Sequence, residues 1–272
     1  MVFFKQFFNF YINSSIHVGL SVFSLTWITL LMLGLEYNEP VLYFVFYASV
    51  TGYNFVKYYG LAKFRHRQLA NWLKLIQIVS LICFLLMCYY AIGLNFSTYV
   101  FISFFAILTV LYAMPFKASR RKSLRDVSGL KVYVIALVWA GVTVFVPVID
   151  AGYSVNTDIV LLGLQRFVFV LVLMIPFEIR DLKFDNKKLS TIPQKLGVKN
   201  AKILGVFLLV FYFLIEFFKD ETTANIISVQ LLMLVITGAL VVFSRVEQQK
   251  YYSSFWVESL PIVWLVLLLF FN

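Results

Sequence analysis

Charged residues are scarce in this chain. Asp, Glu, Lys and Arg make up 13% of its 272 residues, while 62% are hydrophobic and the mean hydropathy is +0.89. Because about a quarter of the residues in a soluble domain are charged, this composition excludes an ordinary soluble protein. The aromatic share of 19% suits a lipid-facing surface and the aromatic belts of a membrane interface. The sequence therefore predicts an integral membrane protein.

Histidine and cysteine are also scarce, with two of each. The two histidines lie far apart, which leaves no zinc-ligand set, and we expect His17 to pack between helices and not to act as a base. Cys83 and Cys88 lie in one apolar run, so we expect two buried small hydrophobes and not a disulfide or metal pair. The first fifteen residues show no small-residue cleavage pattern, which predicts no removable signal peptide.

Nine apolar stretches approach the length of about 20 residues that a membrane-spanning helix needs. They cover residues 15–35, 40–60, 74–94, 97–116, 130–149, 158–178, 202–219, 223–243 and 254–271. The sequence thus predicts an all-α integral membrane protein of a single domain, residues 1–272, with nine transmembrane helices.

The basic residues segregate along this predicted topology. Of the 23 Lys and Arg, all except Arg166 and Lys219 lie in the N-terminal segment or at the loops after spans two, four, six and eight. The positive-inside rule then places the N-terminus and these loops in the cytoplasm and the C-terminus outside, in the cytoplasmic (inner) membrane. Since the bases line one face of a membrane, the net charge of +10 does not predict a nucleic-acid partner.

The segment from Pro176 to Gly197, PFEIRDLKFDNKKLSTIPQKLG, is the most polar long stretch. Asp181 and Asp185 are four residues apart, so on a helix or its frayed end they project from one face and repel each other. Mg²⁺ relieves that repulsion, and it commonly binds one or two carboxylates together with a substrate phosphate. Neighbouring bases, Arg180 and Lys188 among them, suit the remaining phosphate charge. The spacing alone favours a solvated loop at the membrane edge, whose charges only fix the topology.

Four stretches of the chain resemble the UbiA superfamily of intramembrane prenyltransferases. That family has nine helices and two aspartate-rich motifs, at the cytoplasmic ends of the second and sixth helices. The run from Glu178 to Asp185 looks like the second motif, and it is followed by a sequence similar to the family's TLPxxLG signature. The other stretches are a YxxPxK segment, a Lys-to-Trp pattern and the entry to the last helix: Tyr112 to Lys117, Lys131 to Trp139, and Tyr251 to Glu258.

The first aspartate-rich motif departs from the family pattern. Asn54 stands where the family has Asn, but Tyr58 and Ala62 stand where it has metal-binding aspartates. Lys57 lies next to position 58, where the aspartate is absent. Its ammonium group could contact phosphate directly, or it could extend to the membrane interface. A residue is also missing between Asp185 and Thr191, together with the family's usual glycine.

The resemblance implies transfer of a polyprenyl group from its diphosphate to an acceptor that the sequence does not identify. Asp181 and Asp185 would be the catalytic and Mg²⁺-binding residues. Substrate would contact a further set of side chains: Asn54, Lys57, Tyr112, Lys117, Arg166, Arg180 and Lys188. Arg166 lies inside a predicted span, where an ionisable side chain is costly, so we expect it to pair with Glu216 or Asp158 or to reach the acceptor.

Two functions remain open at this point. One is a prenyltransferase that works with a single intact aspartate motif. The alternative is a non-catalytic protein of the same fold that binds a prenyl lipid or serves as a membrane subunit with a protein partner. The loss of the first-motif aspartates favours the second, and the retained polar stretches favour the first. A transporter is a weaker third, because no broken helix pair is evident in the sequence.

Overall fold

Helices make up nearly all of the structure. The computed structural model describes residues 2–64, 71–114, 123–124, 127–185, 189–220 and 222–271, and these contain no β-strand. The α-helices in chain order are α1 (Val2–Asn13), α2 (Ile16–Met32), α3 (Glu39–Phe64), α4 (Asn71–Ala91), α5 (Phe96–Ala113), α6 (Lys131–Ala140), α7 (Val146–Asp150), α8 (Thr157–Asp181), α9 (Ile192–Ile215), α10 (Ala224–Phe243) and α11 (Leu260–Phe271). One π-helical turn (Gly141–Phe145) joins α6 to α7, and another (Tyr252–Val257) precedes α11.

Each predicted span falls on a helix or a continuous helical run, but the predicted count of nine is not confirmed. Within the described residues, seven helices are long and apolar enough to cross a membrane, or eight if the bent pair α1 and α2 counts as one. Span 40–60 falls on α3, which is 26 residues long but is not among them. Its polar side chains, Asn54 and Lys57 included, dilute its apolar content.

Helix α8 forms the centre of the bundle and packs against α6, α9 and α10, while α2 packs against α3 and α11. We call the end of the bundle where α8 finishes, at Asp181, the aspartate end, and the end where α8 begins, at Thr157, the opposite end. Close helix approach relies on glycine: a Cβ added to Gly141 would lie 2.0 Å from Cζ of Phe105.

The N-terminal segment, which precedes the first predicted span, forms a helix of its own. Helices α1 and α2 bend by 57° at Ser14 and Ser15, where Ser15 has a left-handed backbone with φ of 60°. The turn is held by His17, whose ring nitrogens contact Tyr11 Oη at 2.8 Å and the Phe255 carbonyl oxygen at 3.1 Å. His17 therefore packs between helices, as expected. Helix α1 is thereby attached to the start of the last helical run.

A buried carboxylate at the end of α7 joins several helix connections at the opposite end. Asp150 accepts hydrogen bonds from Asn38 Nδ2, the Asn95 backbone N–H and Thr98 Oγ1, each at 2.9 Å. These donors come from two different interhelical connections and the start of α5. Asp150 thus links three helix-to-helix connections.

The two cysteines do not share an environment. Cys83 is buried, as expected, but Cys88 is exposed, and both are free thiols. Five positions along an α-helix rotate the side chain by about 140°, so the two residues of α4 point to different faces. The expectation that both are buried is wrong for Cys88.

Candidate functional site

Asp181 and Asp185 lie side by side at the aspartate end. Asp181 is the last residue of α8, and the next turn keeps a helix-like bond, since the Asp185 N–H donates to the Asp181 carbonyl oxygen at 2.8 Å. Both carboxylates are partly exposed, at 24% and 20% of the side chain. Arg180 holds the Asp181 side chain from the adjacent position, with Nε 2.8 Å from Oδ1.

Lys131, at the start of α6, faces both aspartates. Its Nζ lies 4.0 Å from Asp181 Oδ2 and 3.6 Å from Asp185 Oδ2, and its side chain is 16% exposed. The ammonium group therefore neutralises the repulsion for which the sequence suggested Mg²⁺. The sequence pointed to Lys131 only through the Lys-to-Trp pattern, because a partner 50 residues away cannot be read from helix spacing.

The carboxylate set suits at most a partial metal site. Two carboxylates together with substrate phosphate are a common Mg²⁺ arrangement, and Asp185 Oδ2 is buried with no hydrogen-bond partner among the described residues, so these residues fit one ion. No group of three or more His, Cys, Asp or Glu that could hold a metal occurs in the described part of the chain. A complete site would thus depend on ligands supplied by the substrate.

Glu178 connects the second aspartate motif to the signature that follows it. Its Oε2 accepts a hydrogen bond of 3.0 Å from the Ile192 N–H, one of the free donors at the start of α9. Gln194 Oε1 accepts from the Thr191 N–H at 3.1 Å, which is the glutamine half of a capping box. Gly197 has φ of 78°, a left-handed conformation that favours glycine and kinks α9. The TIPQKLG sequence is therefore accounted for by a capped, kinked helix start.

The residues of the degenerate first motif hold the break between α1 and α2. Lys57 Nζ and Tyr58 Oη donate to the Asn13 carbonyl oxygen at 3.1 and 2.8 Å, and Asn54 Nδ2 donates to the Ser14 carbonyl oxygen at 2.9 Å. Those carbonyls have lost their helical partners at the bend, so they need donors. An aspartate at position 58 would be too short to reach this carbonyl, and its carboxylate has no proton to donate, so the contact would be lost.

Asn54 has a second contact and one free atom. Its Nδ2 also lies 2.8 Å from Ser80 Oγ of α4, while its Oδ1 is buried and has no hydrogen-bond partner within the described structure. The amide is oriented by two acceptors, so Oδ1 is the atom left to receive a donor or an ion. The side chain of Ala62, the other departure from the motif, lies outside the described residues.

The first-motif residues on α3 and the second-motif residues at the end of α8 approach each other across the interior of the bundle. Lys57 of α3, Arg180 of α8 and Glu258 near the start of α11 interact electrostatically with one another. Tyr53, one turn before Lys57, interacts with Glu258 and Tyr112, and its hydroxyl accepts a hydrogen bond of 2.7 Å from Trp139 Nε1. Tyr112 is thus brought close to the site. Glu258 was missed as a site residue, and the entry to the last helix was its only signal.

The other predicted site residues fall elsewhere or outside the described structure. Lys117 and Lys188 lie outside the described residues. Arg166 lies fifteen positions before Asp181 on α8, about 22 Å along the helix. It donates to the Leu25 carbonyl oxygen at 2.9 Å and to Thr29 Oγ1 at 3.2 Å, so the expected partners Glu216 and Asp158 are wrong, and contact with an acceptor stays a prediction. Its guanidinium lies 5.2 Å from the Trp264 ring centroid, so it joins α8 to α2 and α11.

The fold is shared with a solved membrane enzyme. A structure described as digeranylgeranylglyceryl phosphate synthase in membranes superposes with a TM-score of 0.56 over 98% of this chain and 97% of that one, at 17% sequence identity. No protein-family model and no curated protein sequence matches the chain. At this identity the likeness establishes the fold alone, which is the all-helical, multi-pass fold of that membrane enzyme.

Proposed function

We propose that this chain is a UbiA-like membrane prenyltransferase. It moves a polyprenyl group from its diphosphate to an acceptor at a magnesium-dependent site. The observation that carries the proposal is the convergence of charge at the aspartate end, where Asp181, Asp185 and Glu258 lie beside cations from three helices. Those cations are Lys57, Lys131 and Arg180. In a fold shared with a membrane prenyltransferase, they surround the place where an anionic head group would lie above an apolar interior.

The chemistry assigned to the site is the departure of diphosphate. The carbon–oxygen bond breaks, diphosphate leaves with the electron pair, and the allylic cation accepts an electron pair from the acceptor, which loses a proton. The cations of the site stabilise charge that develops on the leaving group. When bound, Mg²⁺ would neutralise part of the same charge, held by Asp181 and Asp185. Buried aromatic residues nearby, Tyr112 and Trp139 among them, would exclude water from the cation.

The proposed orientation follows the basic loops. The N-terminus and the aspartate end face the cytoplasm, the C-terminus faces outward, and the protein resides in the inner membrane. The prenyl chain enters from the bilayer, because a long hydrocarbon tail is soluble only there. Support comes from the segregation of Lys and Arg along the chain.

A second function has its own support. Lys57 and Tyr58 donate hydrogen bonds to the backbone at the bend between α1 and α2, and Lys131 already neutralises the aspartate pair. Both observations favour a non-catalytic protein of this fold that binds a prenyl lipid or joins a larger membrane complex. The two candidates differ in one respect that can be measured, namely whether the head group is recognised through Asp181 and Mg²⁺.

Thermal unfolding of the purified protein separates them. We expect a long-chain prenyl diphosphate with Mg²⁺ to raise the unfolding midpoint, since a ligand at 100 times its Kd stabilises by about 2.7 kcal/mol. In Asp181→Asn the magnesium-dependent part of the shift should vanish. Asp220→Asn, an exposed aspartate at the opposite end, is the matched control and should behave as the unchanged protein.

A prenyl alcohol of the same chain length provides the second control. If alcohol and diphosphate raise the midpoint equally, and neither responds to Mg²⁺ or to Asp181→Asn, the site recognises only the hydrocarbon. That result would reject the transferase and support the lipid-binding alternative. A magnesium-dependent shift would be followed by measuring diphosphate release in the presence of membrane lipid extracts and aromatic acceptors.

A further inference from the structure

A second polar cluster lies at the opposite end of the bundle, inside the membrane-spanning region. It is built from Gln165 and Arg166 of α8, Tyr212 of α9, Gln230 of α10 and Trp264 of α11, and each residue is only 1% exposed. Gln165 and Gln230 both donate to Glu216 Oε2, at 3.0 and 2.7 Å. Burying this many polar groups away from water is costly unless each finds a partner.

These residues form one contiguous group. The Arg166 guanidinium lies 5.2 Å from the Trp264 ring centroid, and the Trp264 and Tyr212 centroids are 6.1 Å apart. Gln165 Nε2 lies 3.1 Å from the Tyr212 carbonyl oxygen, which connects the aromatic pair to the glutamine pair. The cluster therefore continues from the arginine to Glu216 without a break.

Each of the five side chains has one buried polar atom with no hydrogen-bond partner in the described structure: Gln165 Oε1, Gln230 Oε1, Arg166 Nε, Tyr212 Oη and Trp264 Nε1. Unpartnered buried groups are uncommon in native proteins, and each calls for a cause. Five in one cluster indicate a shared ligand and not five separate defects.

Flipping the glutamine amides does not remove the unpartnered atoms. Gln165 Nε2 faces the Tyr212 carbonyl and the Glu216 carboxylate, and both of these only accept. Gln230 Nε2 faces the same carboxylate. Turning either amide would place oxygen against oxygen, so both Oε1 atoms remain free acceptors.

The chemistry of the free atoms identifies the ligand class. Arg166 Nε and Trp264 Nε1 can only donate, the two Gln Oε1 atoms can only accept, and the Tyr212 hydroxyl can do both. An anion would satisfy only the donors, and a cation only the acceptors. Water satisfies both, and a buried water typically makes about three hydrogen bonds. Five atoms therefore call for about two molecules.

We propose that this cluster is an internal hydration site, which binds about two ordered water molecules between α8, α9, α10 and α11 near the opposite end of the membrane-spanning region. The waters complete the hydrogen bonding of the two glutamines and of Arg166, whose charge has no carboxylate in direct contact among the described residues. The site is independent of the proposed transfer chemistry, about 22 Å away along α8.

Water contact can be measured at the Trp264 indole. In protein labelled with ¹⁵N-tryptophan and held in detergent or nanodiscs, we expect magnetisation transfer from bound water to the Trp264 indole proton. The Trp139 indole, also buried but donating to Tyr53 Oη at 2.7 Å, should show no transfer. Exposed Trp256 reports what free solvent and detergent contribute. Loss of the signal in Trp264→Phe assigns it.

Tyr212→Phe tests the same site by stability, because it removes one polar atom and leaves the ring. If water binds the hydroxyl, the midpoint should fall by about 2–4 °C. Tyr153→Phe, at an exposed tyrosine, should leave it unchanged. A rise in the midpoint for Tyr212→Phe would show a dry, unsatisfied hydroxyl and overturn the proposal. Absence of water transfer at Trp264 would overturn it equally.

Discussion

A lysine faces carboxylate at both ends of the bundle, and the two arrangements differ in burial and in hydrogen bonding. At the opposite end, Lys219 Nζ lies 2.6 Å from Glu216 Oε2, and their side chains are 7% and 1% exposed. At the aspartate end, Lys131 lies 3.6 to 4.0 Å from two carboxylates that are 20–24% exposed. The first pair is a closed structural unit, and the second is a loose, accessible one that a ligand can rearrange.

The surroundings of the two pairs reinforce that difference. Glu216 accepts from Gln165, Gln230 and Lys219 on one oxygen and from Thr222 on the other, at 2.6 to 3.0 Å. Burial lowers the pKa of Lys219, and the neighbouring Glu216 opposes that change. Asp185 Oδ2, in contrast, has no hydrogen-bond partner within the described structure and lies 3.6 Å from the Lys131 ammonium. A charge inside a membrane protein is structural when its neighbours satisfy it, and is available for binding when they do not.

The largest effect should follow from Glu216→Gln. The amide N–H groups of the variant would face the donors of Gln165 and Gln230, and Lys219 would be left buried without a counter-charge. We therefore expect a loss of about 3–5 kcal/mol in the free energy of unfolding. The measurement is the unfolding midpoint in detergent, with Asp181→Asn as the comparison at the other end. Adding Lys219→Met to Glu216→Gln should recover part of the loss.

Equal destabilisation by Glu216→Gln and Asp181→Asn would remove the distinction between a structural and a binding end. Failure of Lys219→Met to recover any stability would mean that the glutamine contacts, and not the ion pair, dominate at Glu216.

A smaller effect is expected at Tyr58, where the aspartate of the resembled family can be restored. Tyr58→Asp would remove the donor to the Asn13 carbonyl and leave a short carboxylate that cannot replace it, and we expect a cost of about 1–3 kcal/mol from the unsatisfied groups. Tyr58→Phe only deletes the hydroxyl and should cost about 1 kcal/mol. Hydrogen exchange in residues 2–13 should increase more in the aspartate variant, because α1 loses its attachment to α3.

The contrary outcome would be informative. If Tyr58→Asp unfolds at the same temperature as the unchanged protein and gains stabilisation by Mg²⁺, then position 58 is a metal site that lost its ligand and not a clamp for the helix bend.

The smallest change in stability should come from Lys131→Ala. The ion pairs of Lys131 with Asp181 and Asp185 are partly exposed, and their N–O distances of 4.0 and 3.6 Å are long. Removing them should therefore change the free energy of unfolding by less than about 1 kcal/mol. Without the ammonium, the two aspartates should bind Mg²⁺ more tightly. The midpoint should then rise with MgCl₂ more steeply than in the unchanged protein, at constant ionic strength.

Lys131→Ala combined with Asp185→Asn is the control, and it should lose the added response to MgCl₂. A steeper response that survives in this double variant would assign the ion to another site and separate Lys131 from the aspartate pair.

Contacts between residues close together in sequence can be predicted from the sequence, whereas contacts between distant residues cannot. The proximity of Asp181 and Asp185 follows from their spacing, because the backbone bond between them preserves a helical turn. Their contact with Lys131 could not be predicted, since it depends on how α6 packs beside α8. The same holds for Arg166: its position made a buried partner necessary, but the structure supplied the Leu25 carbonyl and Thr29.

The N-terminal segment shows a different kind of limit. Residues 2–13 are apolar and aromatic, which is compatible with a span, an interfacial helix or a bent extension. The two serines at the bend were a weak signal, and the decisive donors come from Lys57 and Tyr58, more than 40 positions later. The loss of an aspartate at position 58 suggested only a missing ligand, until the acceptor opposite it was known.

The sequence by itself determined the membrane class, the approximate positions of the apolar helices and the separation of basic from acidic connections, because hydropathy and charge act locally along the chain. The tertiary structure alone decided which charged and polar groups have hydrogen-bond or ionic partners and which do not. Lys131 faces the aspartates, Lys57 and Tyr58 hold a helix end, and five buried polar atoms meet between four helices. A hydrogen bond requires a donor and an acceptor about 3 Å apart. Only the packing of helices brings residues that are distant in sequence that close together.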